Sequence, residues 1–197
     1  MILPIEFYQR DTKKVAKDLL GKILVHNVRG RRLAGRIVET EAYLGVIDLA
    51  AHSYGGKRTE RTSTMFMGGG HAYVYLIYGM HFCLNVVTRE MGVPEAVLIR
   101  AVEPLEGLEQ MRKRRPSARK DTDLTSGPGK LCAALGITRK QNALLFTGDE
   151  LFIEDGPRVK NIVASPRIGV DYAEHAAEWP LRFSERGNPF VSKPQPR

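Results

Sequence analysis

The stretch Glu39-Thr40-Glu41-Ala42-Tyr43 sets two carboxylates and a phenol at alternate positions, with Val38 and Leu44 on either side and no basic residue between. Side chains alternate across a β-strand, so Glu39, Glu41 and Tyr43 fall on one face and Val38, Thr40, Ala42 and Leu44 on the other. An exposed strand face can also carry carboxylates, but here apolar neighbours and a tyrosine continue the pattern. A single carboxylate in an aromatic-lined site can take a proton from water as a general base. Two carboxylates also suit a glycosidase-like pair or a metal site. His52 could complete a metal site with Glu39 and Glu41, although nothing resembles H-E-x-x-H. Spacing alone leaves these chemistries open.

Three further features carry chemical potential. In AYVYLIYGM (residues 72–80), Tyr73, Tyr75 and Ile77 share one strand face, and Tyr78 stands beside Gly79. A core hairpin accounts for Val74, Leu76 and Ile77, but buried tyrosine hydroxyls need partners. A bulky ring at a hairpin tip suits insertion between bases. Arg100 ends the apolar run AVLIR and, if buried, requires an acidic partner. TSGPGK (residues 125–130) looks like a nucleotide-binding loop but fails the P-loop pattern, since Leu124 and Leu131 occupy positions that need Gly and Ser or Thr. It remains a helix start with Ser126 and Lys130, suited to a backbone phosphate.

The elements that must position these groups follow from periodicity. After a short extended start, DTKKVAKDLLG predicts a helix capped by Asp11 and stopped by Gly21. KILVHNV and RLAGRIVETEAYL predict two strands joined at Arg29-Gly30-Arg31. Residues 45–70 lose periodicity apart from a helical turn at DLAAHS, as functional loops often do. AYVYLIY and HFCLNVVT predict a hairpin with its tip at Tyr78-Gly79-Met80. AVLIRAVEP predicts a further strand, and Pro104 then opens a helix carrying Leu105, Leu108 and Met111. Residues 113–123 read as polar and mobile. A helix follows, with Thr125 or Ser126 as its cap and Gly136 as its stop. ELFIED, IVASPRIGV and LRFSER predict short strands, with a helical stretch near YAEHAAEW. The sum is an α+β class: one domain over residues 1–197, with a curved, mostly antiparallel sheet, a protruding hairpin and surrounding helices.

Composition narrows the partners. The chain has 197 residues, with 30 Lys and Arg against 22 Asp and Glu, a formal net charge of +8. That balance favours a polyanion, with nucleic acid before an acidic membrane surface. No apolar run approaches a bilayer span, and charged residues follow the first Met too soon for a secretory signal. Cys83 and Cys132 are too few for a disulfide framework and lack metal spacing, so reduced thiols and an intracellular protein are expected.

Read in order, GRIVETEAYLG, AAHS, MFM, YVYLIYGMHFCLNV, LIRAVEPLEGLEQMR, SGPGKLC, RIGV and PLRFSERGNPFVS resemble the alkyladenine (3-methyladenine) DNA glycosylases of the mammalian type. The likeness runs from about Leu19 to Ser192. It implies a DNA repair enzyme that flips an alkylated or deaminated purine out of duplex DNA and hydrolyses its N-glycosidic bond. By the resemblance, Glu41 is the general base and Arg100 helps hold the attacking water. Tyr43, His52 and Tyr75 sandwich and hydrogen-bond the extruded base, and Asn85 restricts guanine-type substrates. Tyr78 fills the gap in the duplex. Thr59, Arg61, Met65, Gly79, Met80 and Lys130 fall where the family meets the DNA backbone or groove. A ring made cationic by alkylation would gain roughly 0.5–2 kcal/mol by stacking between Tyr43 and Tyr75.

The sequence departs from the family at His81, where tyrosine is usual, and at Lys57, where arginine is usual; both changes touch DNA contacts. The resemblance implies no cofactor, no metal and a monomer associated with DNA in the cytoplasm, nucleoid or nucleus. No lysine matches a catalytic position, so a monofunctional enzyme without a Schiff-base step is expected. Glu39 inherits no role and is expected to pair a basic residue. The same wedge and pocket would also suit a non-catalytic binder of damaged or distorted DNA. A metal-dependent nuclease built on Glu39, Glu41 and His52 is the remaining alternative.

Overall fold

The architecture is that of a computed structural model describing residues 1–195. Eight strands form one antiparallel sheet: β1 (Ile23–Val28), β2 (Arg31–Tyr43), β3 (Ala72–Ile77), β4 (His81–Thr88), β5 (Glu95–Glu106), β6 (Leu151–Glu154), β7 (Ile162–Ser165) and β8 (Arg182–Glu185). The main path runs β3-β4-β5-β2-β1-β6. The long strand β2 changes partners along its length: its first half pairs with β1, and Glu39, Thr40 and Glu41 pair with β8, which also carries β7. That branching curls the sheet around its own concave side.

Alternation assigns the two faces. Ala72, Val74, Leu84, Val86, Val97, Ile99 and Ala42 enter the main core. Helices α2 (Thr12–Asp18) and α5 (Pro128–Leu135) pack on that side against β2, β4 and β5. Thr40, on the core face of β2, donates its hydroxyl to the Ala16 carbonyl of α2 at 2.8 Å. The opposite face of the same strands, with Tyr73, Tyr75, Ile77, Cys83, Asn85, Leu98 and Arg100, lines a cavity. Burial of about thirty residues in the main cluster fixes register, since a one-residue slip would exchange the two faces.

Local signals account for most elements. Asp11 caps α2 by accepting from the Lys14 amide at 3.0 Å. Gly136 ends α5 in the left-handed region at φ 73°. The β3–β4 hairpin turns through Tyr78 and Gly79, both at positive φ, as a tight hairpin turn requires. Cys83 and Cys132 are free and buried.

Several expectations are corrected. The start is not wholly extended, because Ile5–Tyr8 forms a helical turn, α1, that buries Tyr8. Pro104 opens no helix: β5 continues to Glu106, and the register with β2 shifts opposite Leu105, a bulge that tolerates the missing amide. Helix α3 spans Leu108–Arg114 instead, begun by Gly107 at φ 80°. Leu105 therefore stays on the strand, half-exposed. The stretch expected to be mobile, residues 113–123, holds the end of α3 and the start of a short helix, α4 (Thr122–Thr125). Neither Thr125 nor Ser126 caps α5; Gly127 stands at its start, and the Thr125 hydroxyl donates to the Val102 carbonyl. The turn at DLAAHS is not helical, and short 3-10 turns flank it at Gly45–Ile47 and Tyr54–Gly56. In IVASPRIGV only Ile162–Ser165 is strand, so Arg167 to Val170 form a loop. Leu76 is 43% exposed and not in the core. Among the described residues no helix is long and apolar enough to cross a membrane.

Candidate active site

Glu39 and Glu41 lie beside a second irregular place in the β2–β5 ladder. Ile37 pairs with Val102, Glu39 with Ala101 and Thr40 with Ile99, so Val38 bulges from β2 and Arg100 from β5. The second bulge undoes the first, and both carboxylates still share a face. The irregularity re-aims Arg100, as bulges do. Its Nη1 stands 3.3 Å from Glu41 and its Nε 3.5 Å from Glu39. Burial pulls the Arg100 guanidinium down, but Glu41 and then Glu39 outweigh it and hold the group charged.

Each carboxylate is fully buried and fully engaged. Glu39 accepts from Arg182 at 2.7 Å and from the Ser192 amide at 2.7 Å, so its basic partners are Arg182 and Arg100. Glu41 accepts from the Ile168 amide at 2.8 Å on Oε1 and from the Tyr43 hydroxyl at 2.9 Å on Oε2. Two glutamates and two arginines make this buried group electrically balanced. Removing any one member would strand an opposite charge, at a typical cost of about 3–5 kcal/mol.

Above it lies a cavity of about 310 Å³. Tyr43, His52, Tyr73, Tyr75, Asn85 and Arg100 contribute to its walls, together with Met65, Leu98 and Ile168. Glu41 does not itself line the space, but Tyr43, Arg100 and Ile168, all in contact with it, do. The carboxylate therefore sits one hydrogen bond beneath the floor. The Tyr43 hydroxyl is held protonated, pushed well up by burial and then by Glu41. Tyr75 is likewise raised by burial, and Tyr73 is pushed up to about 12 by the same cause.

The aromatic wall is internally bonded. His52 Nδ1 lies 2.9 Å from the Tyr73 hydroxyl, and its ring meets Tyr75 edge-on at 4.6 Å. Burial, and then Arg61, lowers His52 from 6.5 to about 4, so the imidazole is neutral near pH 7. Asn85 donates to the Tyr73 carbonyl at 3.0 Å, which fixes its amide at the cavity wall. His52 therefore turns to Tyr73 and not to the carboxylates. Among the described residues no group of three or more His, Cys, Asp or Glu comes together as a metal cage.

The other sequence-predicted positions fall around the mouth or outside it. Tyr78 lines the rim and is 83% exposed, with Gly79 and Met80 beside it at the hairpin tip. Thr59, Arg61 and Lys130 are exposed, Lys130 on the first turn of α5, whose Pro128 reaches the cavity. Met65 is buried and belongs to the wall, not to an outer surface.

Sequence reading missed the support behind Tyr43. Arg167 and Asp48 form a fully buried bidentate pair, at 2.5 and 2.8 Å, and Arg167 also donates to the Ala42 and Ala176 carbonyls. This pair anchors the loop that offers the Ile168 amide to Glu41. Burial pulls Arg167 down, but its bond to Asp48 outweighs that and keeps it charged. The only signal in the sequence was the string RIGV, which carries no chemistry by itself. Tyr172, exposed at the rim, was also missed.

The fold and site define an antiparallel sheet curled around a tyrosine-walled cavity, with a buried carboxylate–guanidinium group beneath it. The net charge of +8 suits a polyanionic partner. The family model for methylpurine-DNA glycosylase matches residues 6–189, and the chain belongs to that family. A relative from Methanocella arvoryzae is 56% identical over 196 residues, covering 99% of this chain and 98% of its own. One from Bacillus cereus is 52% identical over 204 residues, covering 98% and 100%, and one from Clostridium acetobutylicum is 51% identical over 195 residues, covering 95% of each. All three carry the provisional name 3-methyladenine DNA glycosylase.

Proposed function

We propose that the protein is a DNA repair glycosylase that extrudes a damaged purine from duplex DNA into this cavity and hydrolyses its N-glycosidic bond, leaving an abasic site. The observation that carries the reading is the placement of Tyr43, Tyr75 and His52 around a cavity that also reaches Arg100, the partner of Glu41. Family membership supports the class of reaction, and the site supports the division of labour.

In this reading Tyr78 enters the duplex and offsets part of the few kcal/mol lost on unstacking the target base. Tyr43 and Tyr75 stack on the extruded ring, with His52 and Asn85 meeting its edge. Glu41 keeps Oε1 on the Ile168 amide, while the Tyr43 hydroxyl yields Oε2 to the attacking water. The carboxylate takes the water's proton as the oxygen bonds to the sugar carbon and the base departs with the bonding pair. As that bond breaks, the sugar gains positive character, which the same carboxylate stabilises. Arg100, 3.3 Å from Glu41, helps orient the water. Thr59, Arg61, Gly79, Met80 and Lys130 meet the backbone around the lesion.

The test is release of free base from a duplex carrying one hypoxanthine or 3-methyladenine, followed by alkaline cleavage of the abasic strand. Release without strand breakage before alkali, and without a borohydride-trapped adduct, is the expected result. Tight lesion binding with no release would favour a non-catalytic binder. A trapped covalent adduct would replace the water mechanism with an amine one.

A further inference from the structure

Both stacking tyrosines have a guanidinium against one face. Arg167 Cζ lies 4.7 Å from the Tyr43 ring centroid, and Arg61 Cζ lies 5.1 Å from that of Tyr75. Neither arginine lines the cavity. Each cation therefore meets its ring from outside the space that would receive a base. A tyrosine face attracts a cation because the ring carries negative charge density on both faces. A guanidinium already drawing on a ring from outside the cavity weakens what that ring can offer a cation within it. It also repels a positively charged base across the ring.

The two arginines are not equivalent. Arg167 is fully buried and matched by Asp48 through two short contacts, so its charge is largely neutralised where it stands. Arg61 is exposed, and among the described residues no carboxylate forms an ion pair with it. Its side chain reaches His52 at 3.5 Å, on the imidazole nitrogen opposite the one facing Tyr73. Arg61 thus touches two elements of the base-binding wall while no described carboxylate of the protein matches its charge.

We propose that Arg61 is a specificity-determining residue, which sets the cavity against cationic alkylated purines and in favour of neutral ones by the charge it holds against Tyr75. The proposal rests on the glycosylase reading and deepens it. It also reverses the simple expectation that a tyrosine sandwich rewards positive charge. Lesion choice then depends on ring shape and on the edge contacts of His52 and Asn85 more than on the charge of the base.

The test compares two identical duplexes, one with hypoxanthine, which is neutral, and one with 7-methylguanine, which is cationic. Single-turnover release is measured below saturation for the wild type, Arg61→Met and Arg61→Lys, after subtraction of spontaneous loss. Arg61 is exposed, so neither change threatens the fold. Loss of a phosphate contact would lower both rates alike and cancel in their ratio. Arg61→Met is expected to raise the ratio of 7-methylguanine to hypoxanthine release by about three- to tenfold, the scale of one cation–π contact. Arg61→Lys, which keeps the charge, is expected to stay near the wild type. An unchanged ratio in Arg61→Met overturns the proposal and leaves Arg61 as a backbone contact only. Release of neither base by the wild type overturns the glycosylase reading and this proposal with it.

Discussion

At the scale of single residues, the site separates groups that alternation reveals from groups that only folding brings together. Glu39, Glu41 and Tyr43 share a face because β2 alternates, and the same rule places Tyr73, Tyr75 and Asn85 on the cavity side. His52 gives this scale its clearest test. Its folded value of about 4 lies below the ordinary 6.5. Between those values the unfolded chain takes up a proton that the folded imidazole refuses, so stability falls as pH drops through the window. The wild type should lose more stability than His52→Gln when urea unfolding is compared at about pH 7 and about pH 5. Equal losses would show that His52 is not held neutral by the fold. Asp48 and Arg167, by contrast, were not legible: the pair closes across 119 residues, and neither residue stands in a pattern that announces its partner.

At the scale of elements, strands with clean alternation were readable and backbone irregularities were not. The hairpin, its tip and the long strand β2 follow from composition. The bulges that re-aim Arg100 and accommodate Pro104 depend on how two strands twist against each other, which no window of sequence contains. The loop from Arg167 to Val170 was misread as strand because its apolar residues serve the cavity and not a sheet. Function also marks the hairpin turn. Tyr78 holds φ 52°, a left-handed conformation that suits glycine or asparagine, and it is 83% exposed, so packing does not require it there. Tyr78→Asn should leave the fold unchanged or more stable by about 1 kcal/mol, while release of a flipped base falls tenfold or more, on the order of the stacking it forfeits. Thermal unfolding alongside single-turnover release checks both halves. A variant that kept full activity would remove the wedge from the account.

At the scale of the molecule, charge and cavity act together. A net charge of +8 on 197 residues supplies affinity for the phosphate backbone without reference to sequence. Binding to undamaged duplex should therefore weaken by about tenfold or more between about 50 and 200 mM salt. A flat salt profile in a fluorescence anisotropy titration would contradict that role. Selectivity for damage would then reside in the cavity and hydrolysis in the carboxylate beneath it. The most direct measurement is single-turnover base release by Glu41→Gln, with lesion-duplex binding measured in parallel. Glutamine keeps the shape and an acceptor for the Ile168 amide but cannot take the proton of a water. The account predicts that binding persists while the release rate drops by about a hundredfold or more. Release at the wild-type rate would contradict it.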